Sequence, residues 1–316
     1  MAERYFNLPA HFWTVWPVLR ETVGPRRQLP GEPVGFEIDD ADLGRLELTG
    51  SLHAPAGRRR LLIVIHGLGG CAESHYMVET AAAHDQGFAT LRLNQRGCDR
   101  GGADLYHAGL TSDLGQVLSS PLLARFEEIY LLGFSLGGHQ VLKFATEAGD
   151  PRLRSVAAVC APLDLERSVD AFDRPSRKPY RIYILRGLLD IYARIAERRE
   201  MPATVDEIAR ASRLRQFDAL TVVPRFGFAD TADYYHRSSV GPRLGDLRVP
   251  ALLVAAKSDP MVSAEAIAPF EGTAPGLEIR WIERGGHVSF PADLDLGYGP
   301  PLGLVGQICQ WLGEAR

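Results

Sequence analysis

The chain has 316 residues, of which 46% are hydrophobic and 23% charged, with a formal net charge of −4. That composition suits an ordinary folded protein with a sizeable core, and the slightly acidic balance gives no reason to expect nucleic acid as a partner. Four widely separated cysteines, Cys71, Cys98, Cys160 and Cys309, form no C-x-x-C pair, which argues against a zinc knuckle or a disulfide scaffold and fits free thiols in a reducing compartment.

The first 24 residues lack a basic stretch leading into a continuous apolar run, and no later run approaches the roughly 18 apolar residues that a membrane span needs. A soluble, cytoplasmic protein without a transmembrane segment is expected. Phe6, Phe12, Trp13, Val15, Trp16, Val18 and Leu19 nevertheless form an aromatic-rich segment. Two readings of it stay open: packing on the body of the domain, or peripheral contact with a membrane surface.

Residues 34–38 and 45–52 read as short strands joined through Asp39, Asp40, Asp42 and Gly44. The apolar run at 61–65 is of the kind expected for a strand covered on both faces, and it ends in His66-Gly67-Leu68-Gly69-Gly70. A helix over 76–84 and a strand over 88–93 follow, the strand ending at Asn94-Gln95-Arg96-Gly97-Cys98. A further helix is expected over 111–118, capped by Thr111 or Ser112.

The stretch at 128–138 organises the rest. An apolar, β-prone run leads into Gly133-Phe134-Ser135-Leu136-Gly137, and helical spacing resumes behind it over 136–147. Strand, sharp turn and helix around G-x-S-x-G would leave the Ser135 hydroxyl exposed at the carboxyl end of the strand. Another strand is expected over 153–161.

Residues 165–245 break the alternation. Helices are predicted at 180–198 and 205–214, followed by an aromatic stretch from Phe217 through Phe226, Phe228, Tyr234 and Tyr235. Strands over 249–255 and 277–282 and a helix over 302–312 close the chain. The expected architecture is α/β: a mostly parallel sheet covered by helices on both faces, built as a single domain from 1–164 and 246–316, with a mostly helical cap inserted at 165–245.

Acyl transfer by a serine needs a base to take the hydroxyl proton and an acid to hold that base in the right tautomer. Asp259 follows the first late strand and His287 the second, which is the chain order Ser, Asp, His of an α/β-hydrolase sheet. Asp164, also at the end of a strand, is the competing acid. The backbone N–H groups of Leu136 and Leu68 are the candidate oxyanion donors. His66 is expected to brace its loop, Arg96 to form an ion pair with Asp113, and His139 to face outward. Tyr234 and Tyr235 are candidates for the substrate pocket. No cofactor and no metal are expected, because neither H-E-x-x-H, G-x-x-x-x-G-K-[ST] nor G-x-G-x-x-G is present.

Several stretches together resemble the YheT-like branch of the α/β-hydrolases: HGLGGCAESHY at 66–76, LNQRGC at 93–98, LYHAGLTSDL at 105–114, LLGFSLGGHQVLKF at 131–144, FGFADTADYY at 226–235, KSDPMV at 257–262 and GGHVSF at 285–290. PAHFWTVWPVL at 9–19 is similar to the family's N-terminal segment, so the resemblance covers nearly the whole chain. It implies Ser135 as nucleophile, Asp259 as acid, His287 as base and Leu68 with Leu136 as oxyanion donors. The substrate class it implies is carboxylic esters of short to medium acyl chains. Acyl transfer to an alcohol and lipid hydrolysis stay open within the branch, and a non-catalytic binding module on the same fold is the alternative of another class.

Overall fold

The computed structural model describes residues 8–23, 30–99, 101–147 and 149–315. Phe6 of the aromatic segment therefore lies outside the described residues. A helix α1 (Leu8–Val23) precedes a hairpin of β1 (Glu32–Asp40) and β2 (Gly44–His53), then β3 (Arg60–Ile65), α2 (His75–Glu79), β4 (Ala89–Leu93) and α3 (Ser112–Leu118). The middle of the chain supplies β5 (Glu128–Phe134), α4 (Leu136–Glu147) and β6 (Leu153–Val159). After the inserted region come β7 (Ala251–Ala256), β8 (Leu277–Ile282) and α11 (Leu304–Glu314).

The eight strands form one sheet in the order β1-β2-β4-β3-β5-β6-β7-β8. Pairing is antiparallel at β1–β2 and β2–β4 and parallel from β4 through β8. Burial alternates between two faces with the period of the pleat. Leu61, Ile63 and Ile65 of β3 pack with Leu114, Val141 and Leu142 of α3 and α4, whereas Leu62 and Val64 pack with Met77, Ile308 and Leu312 on the other side. The parallel register aligns Ile65 with Gly133, Phe134 with Val159, and Val159 with Val254. The loops after β3, β5, β6, β7 and β8 thus emerge along one edge.

Over that edge lies the inserted helical cap: α5 (Leu165–Phe172), α6 (Lys178–Ala196), α7 (Val205–Ala209), α8 (Leu214–Leu220), α9 (Val222–Arg225) and α10 (Thr231–Ser238). Its own apolar cluster joins Leu188, Ile191, Tyr192, Phe217 and Tyr235 to Leu105 and Tyr106 of the core. The helix expected over 205–214 is instead two short ones: α7 ends by Arg210, and the chain is extended at Arg213 before α8 begins. His139 also departs from expectation. It is fully buried, its Nδ1 paired with the Pro162 carbonyl at 2.7 Å and its Nε2 with the Ser238 carbonyl at 2.8 Å. The neutral ring has one N–H to donate to one of these carbonyls, which offsets part of the desolvation of a polar ring.

Candidate active site

Ser135 stands between β5 and α4 with φ 52°, a left-handed conformation that a side chain occupies only when the surroundings enforce it. Here the glycines enforce it. A Cβ on Gly133 would lie 2.2 Å from the Gly137 carbonyl oxygen, and one on Gly137 would lie 2.4 Å from the Ile65 carbonyl oxygen. The turn therefore closes on itself and on β3 at distances that only glycine permits. Ser135 donates its N–H to the Val159 carbonyl at 2.8 Å, which ties the turn to the end of β6.

The loop after β3 lies directly against this serine, since a Cβ on Gly67 would come 3.0 Å from the Cβ of Ser135. Its donors are distributed selectively. The Gly67 N–H goes to the Tyr76 hydroxyl at 3.1 Å and the Gly69 N–H to the Tyr106 hydroxyl at 2.7 Å. Between them the Leu68 N–H has no partner among the described residues, and neither has the N–H of Leu136 at the first position of α4. His66 braces the same loop: Nδ1 pairs with the Gly67 carbonyl at 2.8 Å, and Nε2 accepts from the Gln95 N–H at 3.1 Å. Full burial lowers its pKa to about 4, so the ring is neutral.

Asp259 and His287 meet across the ends of β7 and β8. His287 Nδ1 lies 2.8 Å from Asp259 Oδ2, and both residues are buried. The other carboxylate oxygen accepts the N–H groups of Met261 and Val262 at 2.7 and 3.0 Å. Burial works to raise the Asp259 pKa, but the imidazole and these N–H groups outweigh it and hold the carboxyl below its ordinary range. It is an anion at neutral pH. Asp164 is elsewhere: its side chain caps α5 by accepting the Arg167 N–H at 3.0 Å.

Ser135 follows β5 and the Asp259–His287 pair follows β7 and β8, on the same edge of the sheet with β6 between them. Cys160, the residue after β6, has its thiol within 4.8 Å of the ligand atoms of both Asp259 and His287. Among the described residues no hydrogen bond yet joins the Ser135 hydroxyl to the imidazole. By residue type the Cys160, Asp259 and His287 group could hold a metal ion. Burial, then the Asp259 charge, push the Cys160 thiol well above its ordinary pKa, which disfavours the thiolate that a soft metal requires.

An apolar cavity opens beside the elbow, lined by Leu68, Leu136, Leu188, Ile191 and Phe217 and reached by Tyr234. Tyr235 stands behind its wall and donates its hydroxyl to Asp218 Oδ2 at 2.6 Å. Further out, Arg96 binds Asp113 through Nε at 2.6 Å and Nη2 at 2.7 Å.

Sequence reasoning did not single out Tyr76, Thr14 or Asp218. Tyr76 could have been found from the paired glycines of the loop, whose N–H groups need fixed acceptors. Thr14 carried no local signal at all, because its partner, the His287 N–H, is 273 residues away.

The pattern of the alpha/beta hydrolase family matches residues 62–295. The chain is 30% identical over 306 residues to YheT of Escherichia coli (strain K12), covering 91% of this chain and 86% of that one. It is 27% identical over 251 residues to the monoacylglycerol lipase of Saccharomyces cerevisiae, covering 74% of this chain and 55% of the lipase. Among solved structures it is similar to the Pyrococcus furiosus esterase Pf2001, with a TM-score of 0.53 and 16% identity over 84% of this chain and 91% of the esterase.

Proposed function

We propose, for a chain that belongs to the alpha/beta hydrolase family and carries esterase- or lipase-type activity on carboxylic esters, that Ser135, His287 and Asp259 are its nucleophile, base and orienting acid. The observation that carries this reading is the 2.8 Å pairing of His287 Nδ1 with an anionic Asp259, on the same edge of the sheet as a strained, half-buried serine. That pairing leaves Nε2 as the proton acceptor.

In this mechanism Ser135 Oγ bonds to the ester carbonyl carbon as its proton passes to His287 Nε2, and the carbonyl electron pair moves onto oxygen. The N–H groups of Leu68 and Leu136 receive that oxyanion. The C–O bond to the alcohol then breaks, and His287 returns the proton to the departing oxygen. Water adds to the acyl-enzyme with the same base, releasing the acid and restoring Ser135. The apolar wall beside Leu68 and Leu136 supports an acyl group at this position, and a short to medium chain is the range we propose.

The name of the yeast relative supports lipid esters as an extension of this reading. So does the outer face of α1, where Phe12, Val15, Trp16 and Leu19 are exposed at helical spacing and the Phe12 and Trp16 rings stack 5.5 Å apart. We assign that face to a lipid surface. No helix among the described residues is long and apolar enough to cross a membrane.

A fluorophosphonate probe tests the core of the proposal. It is expected to label the wild type and not Ser135→Ala, while nitrophenyl esters from acetyl to palmitoyl give the acyl range. A folded protein that no such probe labels would instead be the binding module. Product partition with added alcohol separates hydrolysis from acyl transfer.

A further inference from the structure

The cavity beside the elbow is mostly apolar, its polar groups being Tyr106, His107, Tyr234 and Asp218, with His107 Nδ1 already accepting the Gly109 N–H at 3.1 Å and Asp218 the one carboxylate. Asp218, on α8 of the cap, lines it while only 7% exposed. One carboxylate oxygen, Oδ2, takes the Tyr235 hydroxyl at 2.6 Å, and the other, Oδ1, has no hydrogen-bond partner among the described residues. The remaining hydroxyls of the cavity are already engaged as acceptors, Tyr106 with the Gly69 N–H at 2.7 Å and Tyr234 with the Ala108 N–H at 3.1 Å.

We infer that this cavity takes an acyl chain bearing a hydroxyl group, and that Asp218 Oδ1 is the atom that recognises it. The inference rests on Ser135 being the nucleophile. A buried carboxyl with a free oxygen is costly unless something pairs with it, and a partner for Tyr235 alone needs no acid.

Desolvation, opposed by the Tyr235 hydrogen bond, raises the Asp218 pKa to about 7, so near neutral pH the group is divided between acid and anion. A hydroxyl donates and accepts, and it pairs with either form. An ammonium would bring three donors to a wall that offers one open acceptor, and a second carboxylate would be repelled.

The acyl side follows from the proton's route. His287 delivers its proton to the leaving oxygen, so the alcohol departs beside the loops after β7 and β8. The cavity is lined instead by the loops after β3 and β4, by the elbow and by the cap, with no residue from those two late loops.

Nitrophenyl hexanoates with a hydroxyl at carbon 3, 4, 5 or 6 test this against plain hexanoate. At one position kcat/KM is expected to exceed the plain ester by roughly tenfold or more, since a site built around a substrate hydroxyl discriminates strongly against its absence. In Asp218→Ala that ratio should fall to within about threefold of unity. Because Asp218→Ala orphans the Tyr235 hydroxyl, Asp218→Ala/Tyr235→Phe serves as the paired variant, and the readout in both is the ratio, not the rate.

A wild type that is labelled by fluorophosphonate and cleaves every ester equally would overturn the inference and leave the Ser135 reading standing. So would a preference for monoacylglycerols over ethyl esters of the same acid without any hydroxyacyl preference. A wild type that cleaves none and takes no label would remove both.

Discussion

Thr14 Oγ1 accepts the backbone N–H of His287 at 2.8 Å while donating its own proton to the Ala10 carbonyl at 2.8 Å. The first helix of the chain thereby fixes the loop that carries the proposed base. Contact is close enough that a Cβ on Gly286 would sit 2.4 Å from that same Oγ1 and 2.5 Å from the Ala10 oxygen. The helix also reaches the cap, where the His11 ring stacks on Tyr180 with centroids 5.6 Å apart.

Thr14→Val keeps the shape of the side chain and removes the acceptor. A buried N–H left unpaired costs about 1–3 kcal/mol, and relief would come from movement of the His287 loop. Expected is a fall in kcat of about tenfold or more with KM little changed, because one kcal/mol and a half of lost positioning is a factor of ten in rate. Thr14→Ser should restore most of it. Steady-state kinetics with a soluble nitrophenyl ester, beside a melting curve for each variant, checks the expectation; unchanged kcat in Thr14→Val would remove the positioning role.

Asp259→Asn separates the two candidate acids. Replacing the anion by an amide reverses the hydrogen-bond demand on His287 Nδ1 and favours the wrong tautomer, so kcat should fall by about 10³–10⁴. Asp164→Asn retains a capping oxygen for α5 and is expected to leave kcat within about twofold of wild type. The reverse ordering of the two variants would transfer the acid role to Asp164.

The core and the candidate triad were legible because their signals are local. Continuous apolar runs mark β3, β5, β6 and β7, and G-x-S-x-G sits where strand gives way to helix. The cap was legible only as an interruption. Its helices α7 to α10 run to 8 residues at most, too short to display a period, and Phe217, Tyr234 and Tyr235 are held by packing and not by propensity. His139 misled by residue type, since its burial depends on carbonyls from Pro162 and Ser238 that no local pattern announces. The α1 contact with His287 is of the same long-range kind.

Buried neutral histidines should make stability fall in mild acid. Burial, chiefly, lowers the pKa of His66 to about 4 and of His107 to about 3, against 6.5 when unfolded. Below pH 6.5 the unfolded chain binds protons that the folded one refuses, so stability drops as pH falls from 6.5 towards 4. Asp218 acts oppositely: raised from 3.8 to about 7, it favours the folded state below pH 7 and loses that contribution as pH rises from 3.8 through 7. His11, His84 and His139 are lowered in the same direction, so five histidines against one carboxyl leave a net fall on acidification, of order 1.4 kcal/mol per pH unit for each uncompensated proton. Urea unfolding at pH 7, 6 and 5 should show the midpoint moving down with pH, and more steeply in Asp218→Asn.

Arg96 anchors a buried charge cluster that spans core and cap. Besides Asp113 it pairs with Asp40 and Asp104, and Arg225 of α9 joins Asp104 at 2.8 Å and Asp42 at 3.1 Å. Burial works to raise the Asp40 pKa, but the Arg96 hydrogen bond, the N–H groups of Asp42 and Leu43 and the Arg96 charge hold it at about 2. Arg96→Ala strands carboxylates that the fold has desolvated and should cost about 3–5 kcal/mol. Arg96→Lys keeps the charge and loses the two-pronged grip on Asp113, so a smaller loss is expected. Denaturant titration gives both values. A near-neutral Arg96→Ala would mean that Arg225 alone suffices to balance the cluster.

The assignment of α1 to a lipid surface predicts a specific uncoupling. Phe12 and Trp16 are each about half exposed, and burying an aromatic ring of that kind in an apolar phase is worth about 1.5–3 kcal/mol. Phe12→Glu/Trp16→Glu replaces that gain with two charges on the same face. Sedimentation with phosphatidylcholine vesicles should fall by more than tenfold, and the rate on an emulsified ester should fall relative to the rate on a water-soluble one. Thr14 lies on the opposite, buried side of the helix and holds His287 there, so a Thr14→Val protein should show the converse: slow on both substrates, with vesicle sedimentation retained. If both variants lost sedimentation together, the helix would act only as a structural strut, and the exposed face would need a different occupant.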